Sequence, residues 1–148
     1  MDAEHTERMR VQWVDTDASG RIHYTAALRY FEVAEHALLR RAFFEPASER
    51  GFSMPRVHVE ADYEAMLAYP DEFDCTVRVE ALGRSSVTFG YEIVRLDGVR
   101  AIRGRIVAVA VGADGRPMPL PERFREHLAP TESAGRGGAL GRAGGHRM

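Results

Sequence analysis

Residues 15–20 read Asp-Thr-Asp-Ala-Ser-Gly, so two carboxylates stand two residues apart, just before a turn glycine. A run of helical character begins at Tyr24, and its first turn, Tyr24-Thr25-Ala26-Ala27, holds no Asp or Glu. The backbone N–H groups and positive dipole end of such a helix are free of acidic side chains. A helix end of this kind binds developing negative charge. Asp17 lies seven residues upstream of Tyr24 on the loop that feeds the helix. A carboxylate and an oxyanion-binding helix end suffice for acyl-transfer hydrolysis, with the carboxylate either activating water or attacking directly.

Two other readings of the loop fail on named residues. A calcium loop would use Asp15, Asp17, Ser19, Gly20 and the apolar Ile22, but its twelfth position is Ala26, where a bidentate Glu is required. The segment before it also reads as a strand rather than a helix. The loop resembles the Asp-x-Asp nucleophile motif of haloacid-dehalogenase-type phosphatases. Those enzymes use a lysine and a larger doubly wound domain, and this chain contains no lysine.

The elements that must position the loop follow from periodicity. Residues 9–14 (MRVQWV) read as a first strand, with Met9, Val11 and Trp13 on one face. From Tyr24 to Phe44 the spacing of Leu28, Phe31, Ala34, Leu38 and Ala42 predicts a helix, with Arg29, Glu32, His36 and Arg40 as its polar stripe. A connection after Glu45-Pro46 ends near Pro55. Four strands follow as a meander: 56–63, 73–82, 86–96 and 99–112, the last two joined by a turn at Asp97-Gly98. Residues 121–128 predict a short final helix. One helix cannot cover both faces of a five-stranded sheet, so the other face is expected to meet a partner, most simply a second subunit. Residues 129–148 hold six of the fourteen glycines and are expected to be a disordered tail.

Composition narrows the function classes. The chain has 148 residues, which fits one domain with a sizeable core. Residues 1–128 carry 17 arginines and 21 acidic residues, and an acidic body argues against nucleic-acid binding through a general basic field. All basic residues other than histidine are arginine, which excludes lysine Schiff-base chemistry. The single cysteine, Cys75, excludes an intrachain disulfide and a multi-cysteine metal site. No run of eighteen apolar residues occurs and the N-terminus has no apolar core, so neither a membrane span nor a secretory signal is expected and the cytoplasm is the expected compartment.

The strand, the loop DTDASGRIHY and the helix LRYFEVAEHALL together resemble the hotdog-fold thioesterases of the 4-hydroxybenzoyl-CoA thioesterase type. Members typically show an aspartate pair, a glycine, an aromatic residue at the helix start and a Phe-Glu pair in the helix. The matching residues are Asp15, Asp17, Gly20, Tyr24, Phe31 and Glu32. The resemblance spans residues 9–128 and implies an α+β hotdog fold, a five-stranded antiparallel sheet wrapped around one long helix. It implies homodimers or homotetramers with sites between subunits, an acyl-CoA or acyl-carrier-protein thioester as substrate, and no metal or redox cofactor. By the same resemblance Asp17 is nucleophile or general base, and the backbone N–H of Tyr24 polarises the thioester carbonyl. Arg84 and Ser85, in the loop 83–86, match a region near the CoA nucleotide.

Other residues are read more plainly. Asp15 is expected to orient the loop. A loop aspartate such as Asp17 also commonly closes an Asx turn. His23 occupies a position that varies in the family and stands beside the helix start as a candidate substrate contact. With no second histidine at ligand spacing it is a poor metal ligand. Glu32 and His36, one turn apart, are expected to pair. Cys75 reads as a small buried residue. Two alternatives stand beside hydrolysis: a non-catalytic hotdog subunit that binds acyl thioesters or serves in assembly, and a hotdog hydratase, which would need a histidine–acid pattern not recognisable here.

Overall fold

The computed structural model describes residues 3–42 and 51–130. The expected helix end at Phe44, most of the connection to Pro55 and the tail from residue 131 lie outside the described residues. Five strands are present: β1 (Glu4–Arg10), β2 (Arg56–Tyr63), β3 (Glu72–Leu82), β4 (Ser86–Arg95) and β5 (Arg100–Val109). Helix α1 (Ala26–Ala42) lies between β1 and β2, and α2 (Glu122–His127) closes the described chain. All paired strands are antiparallel, in the order β1-β3-β4-β5-β2.

The first strand lies earlier than apolar periodicity predicts. Its cross-strand bonds are polar: Arg8 with Asp74 at 2.6 Å, Arg10 with Glu72, and Thr6 with Thr76 at 2.7 Å. A strand held by ion pairs leaves no apolar alternation to read. Residues 13–15 instead form a single 3₁₀ turn, with Trp13 73% exposed and Val11 buried.

The four later strands are not a simple meander. β2 pairs with β5 at the far edge of the sheet, and the connection 64–71 crosses to β3. Its eight residues exceed the two to five of a hairpin. This crossing segment packs on the aspartate loop. Ile22 N–H donates to Leu67 C=O at 3.0 Å, and Tyr69 N–H donates to Gly20 C=O at 3.3 Å.

Helix α1 buries Ala27, Tyr30, Phe31, Ala34 and Leu38 against Phe73, Cys75, Val77, Phe89, Tyr91, Ile93 and Ile102 of the sheet. Phe31 stacks on Tyr91 with ring centroids 4.4 Å apart. A Cβ at Gly104 would stand 2.5 Å from the Phe31 ring, so glycine is what lets that ring lie on β5. The buried stripe is rotated from the expected one: Leu28 is exposed, and Glu35 takes a core position.

The sheet face away from α1 is not an apolar surface in need of cover. Arg100 and Arg103 each reach Glu64 at 3.1 Å, and Arg105 lies 3.7 Å from Glu60 and 3.5 Å from Glu80. These side chains form a partly exposed ionic lattice on the sheet. The outward positions of this face are ionic rather than apolar.

Candidate active site

The loop is assembled around Asp15. Gln12 N–H donates to Asp15 Oδ2 at 2.9 Å, closing the 3₁₀ turn. Tyr30 Oη donates to the same oxygen at 2.9 Å, and Arg29 Nη2 lies 2.9 Å from Oδ1. Asp15 is only 4% exposed. Burial pushes its pKa up, but the Gln12 N–H, Tyr30 hydroxyl and Arg29 guanidinium outweigh burial and hold it below the ordinary value. Burial, with the neighbouring Asp15 carboxylate, raises the Tyr30 phenol. Asp15 thus orients the loop from α1, as its sequence position suggested.

Beyond Asp15 the chain folds back on itself. Thr16 faces Ile22 in an antiparallel bridge, and Asp17 N–H donates to Arg21 C=O at 2.8 Å. Gly20 N–H donates to Asp17 C=O at 3.1 Å, and Gly20 adopts φ +83°, a conformation that favours glycine. Asp17 is at the tip, exposed. Its Oδ1 accepts the Ser19 N–H at 2.8 Å and the Ser19 hydroxyl at 2.5 Å. This is the Asx turn named above, and the Ser19 hydroxyl, followed by the Ser19 N–H, lowers the Asp17 pKa. The second oxygen, Oδ2, takes no hydrogen bond among the described residues.

Helix α1 begins at Ala26, two residues later than expected. Ala26 N–H donates to His23 C=O at 2.8 Å, and Leu28 N–H donates to Thr25 C=O at 3.2 Å. The Tyr24 N–H has no acceptor among the described residues. No acidic side chain lies in the first turn. Tyr24 itself is 69% exposed, and its carbonyl accepts the Tyr63 hydroxyl from the end of β2. His23 stacks on Tyr24 with centroids 4.6 Å apart. His23 Nδ1 takes the Thr25 N–H at 3.3 Å and lies 2.7 Å from the Thr25 hydroxyl. A backbone N–H can only donate, so Nδ1 is the acceptor and the neutral ring carries its proton on Nε2. A cleft of about 330 Å³ opens beside this junction, lined by Ile22, Tyr63, Met66, Leu67 and Ile102 together with the charged Arg21 and Glu64.

Asp17, His23 and Tyr24 therefore stand on one loop–helix junction, and Arg84 and Ser85 do not. The latter occupy the β3–β4 turn, at the other end of the eleven-residue strand β3, about 35 Å away along the strand. That turn is firmly held: Leu120 N–H donates to Arg84 C=O at 2.8 Å, Ala110 N–H to Ser85 C=O at 2.7 Å, and Arg125 Nη2 to Gly83 C=O at 2.9 Å.

Glu32 is exposed and does not pair with His36, whose Nε2 lies 3.9 Å from Glu35 instead. Glu35 is 1% exposed, bound by Arg56 Nη2 from β2 and by the Tyr91 hydroxyl at 2.8 Å. Reading the sequence missed it. The available signal was an acidic residue one turn after Phe31 on the buried stripe. Cys75 is buried, and burial pushes its thiol up to about 12, as suits a packing residue. Among the described residues, no group of three or more His, Cys, Asp or Glu side chains is arranged to hold a metal ion. Among the same residues, no helix is long and apolar enough to cross a membrane.

Comparison with known proteins decides the family. The model of the thioesterase-like superfamily matches residues 11–128. The chain belongs to that superfamily. It is 35% identical over 92 residues to a provisionally named esterase of Aquifex aeolicus, covering 61% of this chain and 72% of that one. It is 26% identical over 133 residues to a protein of Synechococcus elongatus named 1,4-dihydroxy-2-naphthoyl-CoA hydrolase, covering 85% and 96%. A solved structure of a mutant 4-hydroxybenzoyl-CoA thioesterase with 4-hydroxybenzoyl-CoA superposes with a TM-score of 0.78 over 86% of this chain and 99% of that one. At 19% identity that likeness speaks for the fold alone. The fold of this superfamily member is the hotdog fold, with its five antiparallel strands around one long helix. Membership supports thioester hydrolysis as its general class of chemistry.

Proposed function

We propose that this protein hydrolyses an acyl-CoA or acyl-carrier-protein thioester to the free acid and thiol, with Asp17 and the Tyr24 N–H at the reacting carbonyl. One observation carries the reading. The Asp17 Oδ2 and the Tyr24 N–H, both without a hydrogen-bond partner among the described residues, belong to the same short loop–helix junction, beside a largely apolar cleft. The N–H stabilises the oxyanion as the carbonyl carbon becomes tetrahedral. Either Asp17 takes a proton from an attacking water and delivers it to the leaving thiolate, or Oδ2 attacks the carbonyl, expels the thiolate and leaves an anhydride that water opens. The Ser19 bonds favour the ionised form of Asp17, the form both routes require.

The active unit is a homodimer or homotetramer. Among the described residues, strand β2 pairs with β5 on one edge and with no strand on the other, and Val57 and Val59 on it are exposed. A site using both Asp17 and Arg84 draws them from two copies, since one chain holds them at opposite ends of its sheet. In that arrangement Arg84 and Ser85 meet the CoA phosphates, and the Nε2–H of His23 donates to the substrate. The proposed domain is 1–128, with 129–148 as an appendage, and the proposed compartment is the cytoplasm.

The Ser19 bonds to Asp17 also suit the other reading, an acyl-thioester-binding or assembly subunit in which Asp17 merely closes its turn. The deciding experiment measures thiol release from acetyl-, octanoyl-, palmitoyl- and benzoyl-CoA by wild type and Asp17→Ala. Turnover by wild type, lost in a folded mutant that still binds substrate, supports hydrolysis. No release from these esters or from acyl-carrier-protein esters supports the binding subunit.

A further inference from the structure

The first turn of α1 leaves the Tyr24 carbonyl without a helical donor, because Leu28 N–H bonds to Thr25 C=O instead. That carbonyl is taken by a residue distant in sequence, the Tyr63 hydroxyl at the end of β2. The preceding carbonyl, that of His23, is held by Ala26 N–H at 2.8 Å. Both peptide planes flanking the Tyr24 Cα are thereby fixed, one by the helix and one by the edge strand. The Tyr24 N–H lies in the first of these planes. The two planes are joined only by the φ and ψ rotations at the Tyr24 Cα, so Tyr63, by holding the second plane, restricts the rotations that would turn the first. The Tyr63 ring also walls the cleft beside the junction.

From this geometry we propose that Tyr63 is a positioning residue for thioester hydrolysis, aiming the Tyr24 N–H at the oxyanion through its hydroxyl contact with the Tyr24 carbonyl. The inference rests on the thioesterase reading above and deepens it. Tyr63 touches no reacting atom in this scheme. Its contribution is orientation, and small misplacements of an aligned group are costly in rate.

The test compares full-length wild type with Tyr63→Phe, which keeps the ring and removes the hydroxyl. Two readouts are taken. The first is kcat and KM for whichever of acetyl-, octanoyl-, palmitoyl- or benzoyl-CoA wild type turns over fastest, or for the acyl-carrier-protein ester if no CoA ester is cleaved. The second is the carbonyl ¹³C resonance of Tyr24, which reports the contact whether or not any thioester is cleaved. The proposal expects the Tyr24 resonance to move and kcat to fall about tenfold to a hundredfold, with KM changed less than about twofold. Replacing Tyr63 with a fluorinated tyrosine, a stronger donor, should hold or raise kcat. An unmoved resonance overturns the contact itself. A moved resonance with unchanged kcat, or a loss confined to KM, overturns the positioning role. A wild type inactive on every thioester overturns the thioesterase reading and this role with it, and the resonance then still shows whether the contact exists.

Discussion

Tyr30 Oη lies 2.9 Å from Asp15 Oδ2 and ties the buried face of α1 to the loop that carries Asp17. The same carboxylate takes the Gln12 N–H and the Arg29 guanidinium, so three donors from two elements meet on one side chain. The loop is therefore held from inside the protein while its tip stays open. Breaking this knot leaves a buried group unpaired. Asp15→Ala should lower stability by about 2–3 kcal/mol and Tyr30→Phe by about 1 kcal/mol, read from denaturant midpoints.

The sign of the pH effect follows. The folded Asp15 pKa lies below the ordinary 3.8, so the unfolded chain takes up its proton first as pH falls. The stability contributed by Asp15 is full above 3.8 and is lost as pH drops through the lower folded value. Acid melting of wild type should show this loss, and Asp15→Asn should flatten it. Identical acid profiles for the two would contradict the knot.

On the proposed mechanism, Ser19 sets the acid limb of activity. Its hydroxyl is the foremost cause of the lowered Asp17 pKa, and its N–H is the next. The proposed reaction needs ionised Asp17, so the acid limb of kcat/KM in wild type should lie below the ordinary carboxylate range. Ser19→Ala keeps the N–H bond and loses the hydroxyl, so the limb should move upward toward the ordinary value. A limb that stays in place would separate Asp17 ionisation from the reaction.

Glu35 and Arg56 form a pair that joins α1 to the edge strand β2, with the Glu35 carboxylate in the core and Arg56 partly exposed. Removing one partner strands the other. Glu35→Ala should cost about 2–4 kcal/mol, with part of the Arg56 charge relieved by its partial exposure. Replacing both, as Glu35→Met with Arg56→Leu, should recover most of that loss. Chemical denaturation of the single and double variants checks it, and additive losses would contradict the coupling.

Gly104 is a packing test of the fold. An added methyl would meet the Phe31 ring at 2.5 Å and the Glu60 carbonyl at 2.9 Å. The backbone on one side cannot yield cheaply. Gly104→Ala should destabilise by about 1–3 kcal/mol, and the double variant with Phe31→Leu should lose less than the sum.

Much of this arrangement is legible before any coordinates. Alternating apolar residues mark β3 and β4 to within a residue, and the spaced aspartates, glycine and aromatic mark the loop and helix start. What escapes is what periodicity cannot carry. β1 is built on Arg8–Asp74 and Arg10–Glu72 pairs, so its residues look like loop. β2 reads correctly as a strand, but its place beside β5 depends on the crossing segment 64–71. Tyr63 and Glu35 act through partners tens of residues distant, Tyr24 and Arg56, and no local pattern announces such contacts.

The most direct test remains thiol release by wild type and Asp17→Ala, measured side by side on the same acyl-CoA panel. The account predicts turnover by wild type and a loss of about a hundredfold or more in a mutant that stays folded and binds substrate. Equal release by the two proteins would take Asp17 out of the mechanism and contradict the account.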